Sequence, residues 1–144
     1  MDRYFEDYVV GERVETDTLT VTEAAIVAFA REYDPQSMHV DAAAAKRGRF
    51  GRLIASGWQT AGFTMRLIVQ KGVFGAEGGV GMGIDDLRWP RPVFPGDTLH
   101  VVAEVVELRP SSSRPSGVAR FKLTTVNQDG DPVMTQVAIV MIPC

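Results

Sequence analysis

Residues 56–72 constrain this chain more than any other stretch. Ser56 is a good helix N-cap, and beyond it Trp58, Ala61, Phe63, Met65, Leu67, Ile68 and Val69 fall on nearly every side of a helix running to about Lys71. Gly72 supplies the stop, because glycine takes the left-handed cap conformation without steric cost. A helix apolar almost all round has to be covered, so the remainder of the chain must wrap it. Arg66 and Gln70 make it too polar to span a bilayer.

The flanking sequence supplies the wrapping. Residues 1–12 read as an irregular arm ending at Gly11, and Arg13 to Leu19 alternates weakly, as a strand would. Thr20-Val21-Thr22-Glu23 matches a capping box, which starts a helix that stops near Tyr33, since the residue before Pro35 avoids helical angles. Pro35 to His39 reads as a loop, and Asp41 caps a short helix through Ala42 to Lys46 that ends at Gly48. After Gly72, glycines at 75, 78, 79, 81 and 83 precede a strand-like run, Ile84 to Trp89. A phosphate-cradling glycine loop needs a strand before it and a helix after it, and the order here is reversed. The expectation is instead a strand whose small residues let its backbone pass close to the central helix.

Prolines 90, 92 and 95 then mark a turn region, and Thr98 to Leu108 is a valine-rich strand. Ala119, Phe121, Leu123 and Thr125 alternate with Arg120, Lys122 and Thr124, the pattern of a half-solvated antiparallel strand. Asp129-Gly130 makes a hairpin turn, and Val133 to Ile142 is apolar enough to be buried on both faces. The expected class is α+β, three or four antiparallel strands around one long helix, in one domain over residues 1–144. A sheet with edges and one uncovered face also suggests pairing with a second copy.

Charge narrows the function. A net charge of −3 gives no electrostatic reason to bind nucleic acid. The single cysteine, Cys144, can form neither an internal disulfide nor a multi-cysteine metal site. The first residues are acidic and aromatic, unlike a signal peptide, so a cytoplasmic location without membrane association is expected.

Two histidines are available for chemistry. His100 lies in a valine-rich strand with no acidic neighbour in sequence, which suits a structural or exposed position. His39 lies five residues after Asp34. From the residues alone two readings stand: a carboxylate that makes a turn or caps a helix end beside Pro35, or an acid–base pair. Ser56-Gly57 is likewise either a plain helix start or a donor site, since free N–H groups and partial positive charge gather at a helix N-terminus.

Three motifs carry a resemblance. Tyr33-Asp34-Pro35-Gln36-Ser37-Met38-His39-Val40-Asp41, then Gly51 to Trp58, then Ile84 to Trp89 with Arg91 to Leu99, resemble in order and spacing the MaoC-like dehydratases, a hotdog-fold family that includes the (R)-specific enoyl-CoA hydratases. The resemblance implies a sheet wrapped around a central helix. It implies that Asp34 and His39 hold the water that adds across an α,β-unsaturated acyl thioester, with Gly57, beside Ser56, binding the thioester oxygen. It implies an acyl-CoA or acyl carrier protein thioester as partner, no metal or organic cofactor, and a homodimer or higher homo-oligomer. Gln36-Ser37 stands where family hydratases have Asn-Pro, and Ser56 where they often have His. A family hydroxyl two turns along the helix has Thr64 and Met65 near its position, and that role is not carried over. Arg88 and Arg91, with Arg109 and Arg114, are candidates by charge for CoA phosphates, or equally solvated strand and loop ends. A thioesterase and a non-catalytic acyl-thioester binder are the alternative functions on the same fold.

Overall fold

The computed structural model describes residues 3–144, so the first two residues of the expected arm lie outside it. The rest of the arm holds a 3₁₀ turn at Phe5–Asp7. Six strands follow in the chain: β1 (Arg13–Glu15), β2 (Leu19–Thr20), β3 (Val80–Arg88), β4 (Thr98–Pro110), β5 (Ser116–Val126) and β6 (Pro132–Pro143). The helices are α1 (Glu23–Tyr33), α2 (Ser37–Val40), α3 (Ala42–Lys46) and α4 (Gly57–Gln70). The sheet order is β1-β4-β5-β6-β3, all antiparallel, with β2 pairing separately with β4.

The helix of residues 57–70 forms as its ends dictate. Ser56 accepts from Trp58 N, and at the other end Gly72, at φ 75°, donates to Val69 O while Val73 N donates to Ile68 O. Those two bonds satisfy carbonyls the helix leaves open, the pattern of a Schellman cap. The inner side of α4 is packed: Leu67 and Ile68 join Val101, Val105, Phe121, Leu123 and Val140 in the main core. A second core beneath α1 and α3 gathers Val21, Ile26, Ala45, Leu53, Leu99 and Val133.

Among the described residues six strands form where three or four were expected, because the short β1 and β2 add to the long ones, and further expectations change. Burial of α4 is one-sided, with Trp58, Met65 and Val69 exposed by 59%, 51% and 55%. The cap of α1 is Thr22, which accepts from Ala25 N, because Thr20 is held in β2 by its pairing with Thr98. Strand β6 is buried on one face only and alternates along its length, the mark of a sheet with a single covered face. The glycine-rich run does not press its backbone on α4: β3 is the sheet's edge, paired with β6 alone among the described residues, and a Cβ on Gly81 or Gly83 meets nothing closer than Ile139 Cδ1 at 3.7 Å. The close approaches are at Gly79, where an added Cβ runs into the Val140 side chain, and at Gly75, where it runs into the Arg3 carbonyl.

Candidate active site

Asp34 closes α1, and the four-residue helix α2 begins three residues later, where the sequence suggested only a loop. That turn of helix swings His39 back under Asp34. His39 is almost completely buried. Its Nδ1 lies 2.7 Å from Ile54 O, an atom that only accepts, so Nδ1 carries the hydrogen. Nε2 is therefore the ring nitrogen left for other contacts, and it lies 3.3 Å from Asp34 Oδ2. The segment that presents Ile54 is itself pinned on both sides, by Ile54 N to Met38 O and Ala55 N to Val93 O.

Asp34 is held by two donors. Gln36 Nε2 donates to Oδ1 and Ser56 Oγ donates to Oδ2, each at 2.8 Å. Burial pushes the Asp34 carboxyl up, but those hydrogen bonds and the neighbouring His39 together outweigh it and leave the group below its ordinary value. Asp34 thus stands as an ionised acceptor next to an imidazole. Both residues line the pocket, and with Nε2 unprotonated both atoms can accept from a small donor such as water.

The start of α4 borders the same space. Among the described residues the Gly57 N–H has no acceptor, which is ordinary for a helix's first residue and leaves a donor available. Ser56, expected at the substrate side, is instead fully buried with its hydroxyl committed to Asp34. Trp89 packs over Gly57 and donates from Nε1 to its carbonyl at 3.0 Å. A pocket of about 750 Å³ has Asp34, His39, Gly57, Trp58, Thr60 and Trp89 in its wall, with Arg49, Arg52 and Arg91 beside them. Arg52 is steadied over the Phe94 ring, 4.3 Å from its centroid, and donates to Pro95 O.

Of the arginines chosen from sequence, Arg91 is in that wall. Arg88 is exposed at the end of β3 and outside it. Arg109 pairs with Glu107, and Arg114 reaches Met141, at the far end of the sheet. Thr64 turns inward, donating to Thr60 O and bonding Thr125 Oγ1 at 2.6 Å, while Met65 takes the exposed position beside it. His100 lies on β4 at 3.5 Å from Glu15, away from the pocket. Gln36, Arg49, Arg52 and Trp89 were not legible as site residues. The Arg-Gly texture of 47–52 was the one signal for two of them.

A second pocket, of about 610 Å³, lies between α4 and the β3–β6 edge and is lined mainly by apolar groups, including Met65, Ile68, Val69, Met82 and Ile84. The two abut along α4, where Thr60 lines the first and Ala61 and Thr64 line the second.

The MaoC like domain family matches residues 6–127, across the helices, the site and the first three long strands. The chain belongs to that family. A MaoC-like dehydratase from Rhodospirillum rubrum is 43% identical, with a TM-score of 0.93 and coverage of 98% of this chain and 97% of that one. The (R)-hydratase PhaJ1 from Pseudomonas aeruginosa is 30% identical, with a TM-score of 0.82 and coverage of 97% and 85%. A Mycobacterium tuberculosis protein with a double hotdog fold is 20% identical and covers 99% of this chain but 44% of its own, with a TM-score of 0.79, which bears on fold alone. The fold of this MaoC-like chain is the hotdog fold, α+β, as the motifs implied. Among the described residues no helix is long and apolar enough to cross a membrane, and no three His, Cys, Asp or Glu groups gather as metal ligands would.

Proposed function

We propose that this protein is a hydratase of α,β-unsaturated acyl thioesters, acting on an acyl group carried by CoA or an acyl carrier protein. The observation that carries the reading is that Asp34 and His39, with Oδ2 and Nε2 3.3 Å apart, line the same pocket as Gly57 at the start of α4. A water there donates one hydrogen to each. Its oxygen bonds C3 of the substrate as the Asp34–His39 pair takes up the released proton. The electron pair of the double bond moves toward the thioester oxygen, C2 takes a proton from the same pair, and no other reactant is needed. The Gly57 N–H meets the developing negative charge at the positive end of a 14-residue helix. Arg49, Arg52 and Arg91 suit the carrier's phosphates, and the apolar pocket between α4 and β3 suits the acyl tail.

The working unit is a homodimer in this reading. On β3, Val80, Met82 and Ile84 are each more than half exposed, continuous with Met65 and Val69 on α4 across the apolar pocket. An unpaired edge with apolar side chains is an aggregation hazard unless covered, and a second β3 offers both the missing hydrogen bonds and a matching apolar face. Met82→Lys combined with Ile84→Lys is expected to convert the dimer to monomer in sedimentation velocity. An unaltered dimer removes this face from the interface.

The deciding experiment is incubation with crotonyl-CoA and longer enoyl-CoAs. Loss of the conjugated enoyl absorbance without free thiol supports hydration. Release of free thiol makes the protein a thioesterase, and binding without turnover makes it a carrier.

A further inference from the structure

Trp89 has no part in the hydration chemistry just described, yet its indole is tied to the site by direction. Nε1–H donates to Gly57 O at 3.0 Å. That carbonyl shares a peptide unit with Trp58 N–H, which donates to Ser56 Oγ at 3.3 Å. The Ser56 hydroxyl in turn donates to Asp34 Oδ2 at 2.8 Å. All three bonds point the same way, from indole to carboxylate. Aligned hydrogen bonds polarise one another, and a chain ending on an anion gains most from that alignment.

The packing fixes the first link. A Cβ added to Gly57 would stand 2.7 Å from Trp89 Cε2 and 2.8 Å from Nε1, so only glycine admits the indole at this distance. Trp58 braces it edge-on, at 5.2 Å between ring centroids. The end of β3 delivers Trp89 to this spot through a register shift between Asp85 and Arg88, where Asp86 takes φ 53°. Such irregularities re-aim the side chains that follow them.

We propose that Trp89 is a positioning residue for Asp34, acting through the Gly57–Trp58 peptide and Ser56 to fix the aim and the charge of the carboxylate. The other titratable and charged groups around Asp34 are His39 on α2, at 3.3 Å, and Arg49, Arg52 and Arg91 in the same pocket wall. None of these four belongs to the relay, so removing the indole donor alters Asp34 while leaving them in place.

The kinetic readout rests on the hydratase reading, whereas the titration readout does not. Trp89→Phe keeps a ring against Gly57 and removes only the donor. Its expected effect is a kcat about three- to tenfold lower with KM unchanged, the scale of one lost hydrogen bond, and an acid limb moved to higher pH. Carboxyl carbon NMR, with the Asp34 resonance assigned by Asp34→Asn, should show the Asp34 titration moved upward in Trp89→Phe. Ser56→Ala should shift it in the same direction, and Trp89→Phe should add nothing in the Ser56→Ala background. In the unaltered protein the Trp89 indole proton should follow the Asp34 titration, and Asp34→Asn should abolish that response, a measurement that needs no Trp89 variant to fold. An unmoved Asp34 titration, a shift that persists in full without Ser56, or an indole proton blind to Asp34 overturns the proposal. A raised KM with an unmoved titration makes Trp89 a wall of the pocket. A wild-type protein without hydratase activity sinks the function proposed above and leaves the relay to be judged by NMR.

Discussion

Asp34→Asn should lower the rate of enoyl-thioester hydration by roughly 10²–10⁴-fold, the usual worth of a positioned acid–base group, with little change in substrate binding. The asparagine keeps the shape and can still accept from Gln36 or Ser56, but it cannot take a proton from water. His39→Ala should cost a similar factor, because Nε2 lies beside Asp34 Oδ2. In the proposed mechanism both groups serve one water, so the two losses should not add. Measured kcat for the two single variants and the double variant checks this, and a fully active Asp34→Asn ends the mechanism. The pH profile carries a sign. With its pKa below the ordinary value, Asp34 stays ionised, so loss of activity through this group should set in at lower pH than it would for an ordinary carboxyl. The same depression adds stability that is complete above the unfolded chain's carboxyl pKa and fades as pH falls through the folded one. Asp34→Asn should therefore flatten the acid side of the stability curve.

Phe121→Ala should destabilise the fold by about 3–5 kcal/mol, lowering the melting temperature by roughly 10–20 °C. Phe121 is buried in the middle of β5 and is the ring on which two others meet: Tyr8 edge-on at 5.9 Å and Phe74 at 5.5 Å. Tyr8 reaches over from the arm and donates its hydroxyl to Val73 O just after α4, so this cluster ties arm, helix end and sheet together. Removing the ring leaves a cavity at that junction, and a core of close-packed strands relaxes into it only partly. Thermal unfolding followed by circular dichroism measures the effect, and a loss under 1 kcal/mol would mean the site collapses around the gap. Neither Asp34 nor His39 belongs to the cluster around Phe121, so turnover per folded molecule should survive at low temperature.

Local chemistry explains what was legible. Ser56 and Gly72 mark the ends of α4 because capping is decided by one or two residues, and Asp41 marks α3 for the same reason. The alternation of β5 gave its buried face correctly, since period two is a direct image of a half-covered sheet. Composition misled where apolar side chains remain on the surface of the single chain. The apolar outer side of α4 reads as core in sequence and stands exposed in one chain, and the same holds for Val80, Met82 and Ile84. The Asp34–His39 pair was visible only as two residues and a resemblance. Its geometry depends on Ile54 and Ser56, 15 and 22 residues away, and on the short α2 helix that sequence presented as a loop. Trp89 lies 32 residues from the glycine it covers, and no periodicity signals such a contact.

The placement of the indoles has a practical consequence. Trp58 and Trp89 are the chain's two tryptophans, and both sit in the wall of the pocket that holds Asp34 and His39. Its tryptophan emission, excited apart from that of Tyr4, Tyr8 and Tyr33, therefore comes from the wall of that pocket. Anything that enters displaces solvent from partly exposed rings, so occupancy should register as a change in emission intensity or wavelength. The protein carries its own label-free optical gauge of ligand binding, usable with saturated acyl thioesters that never react.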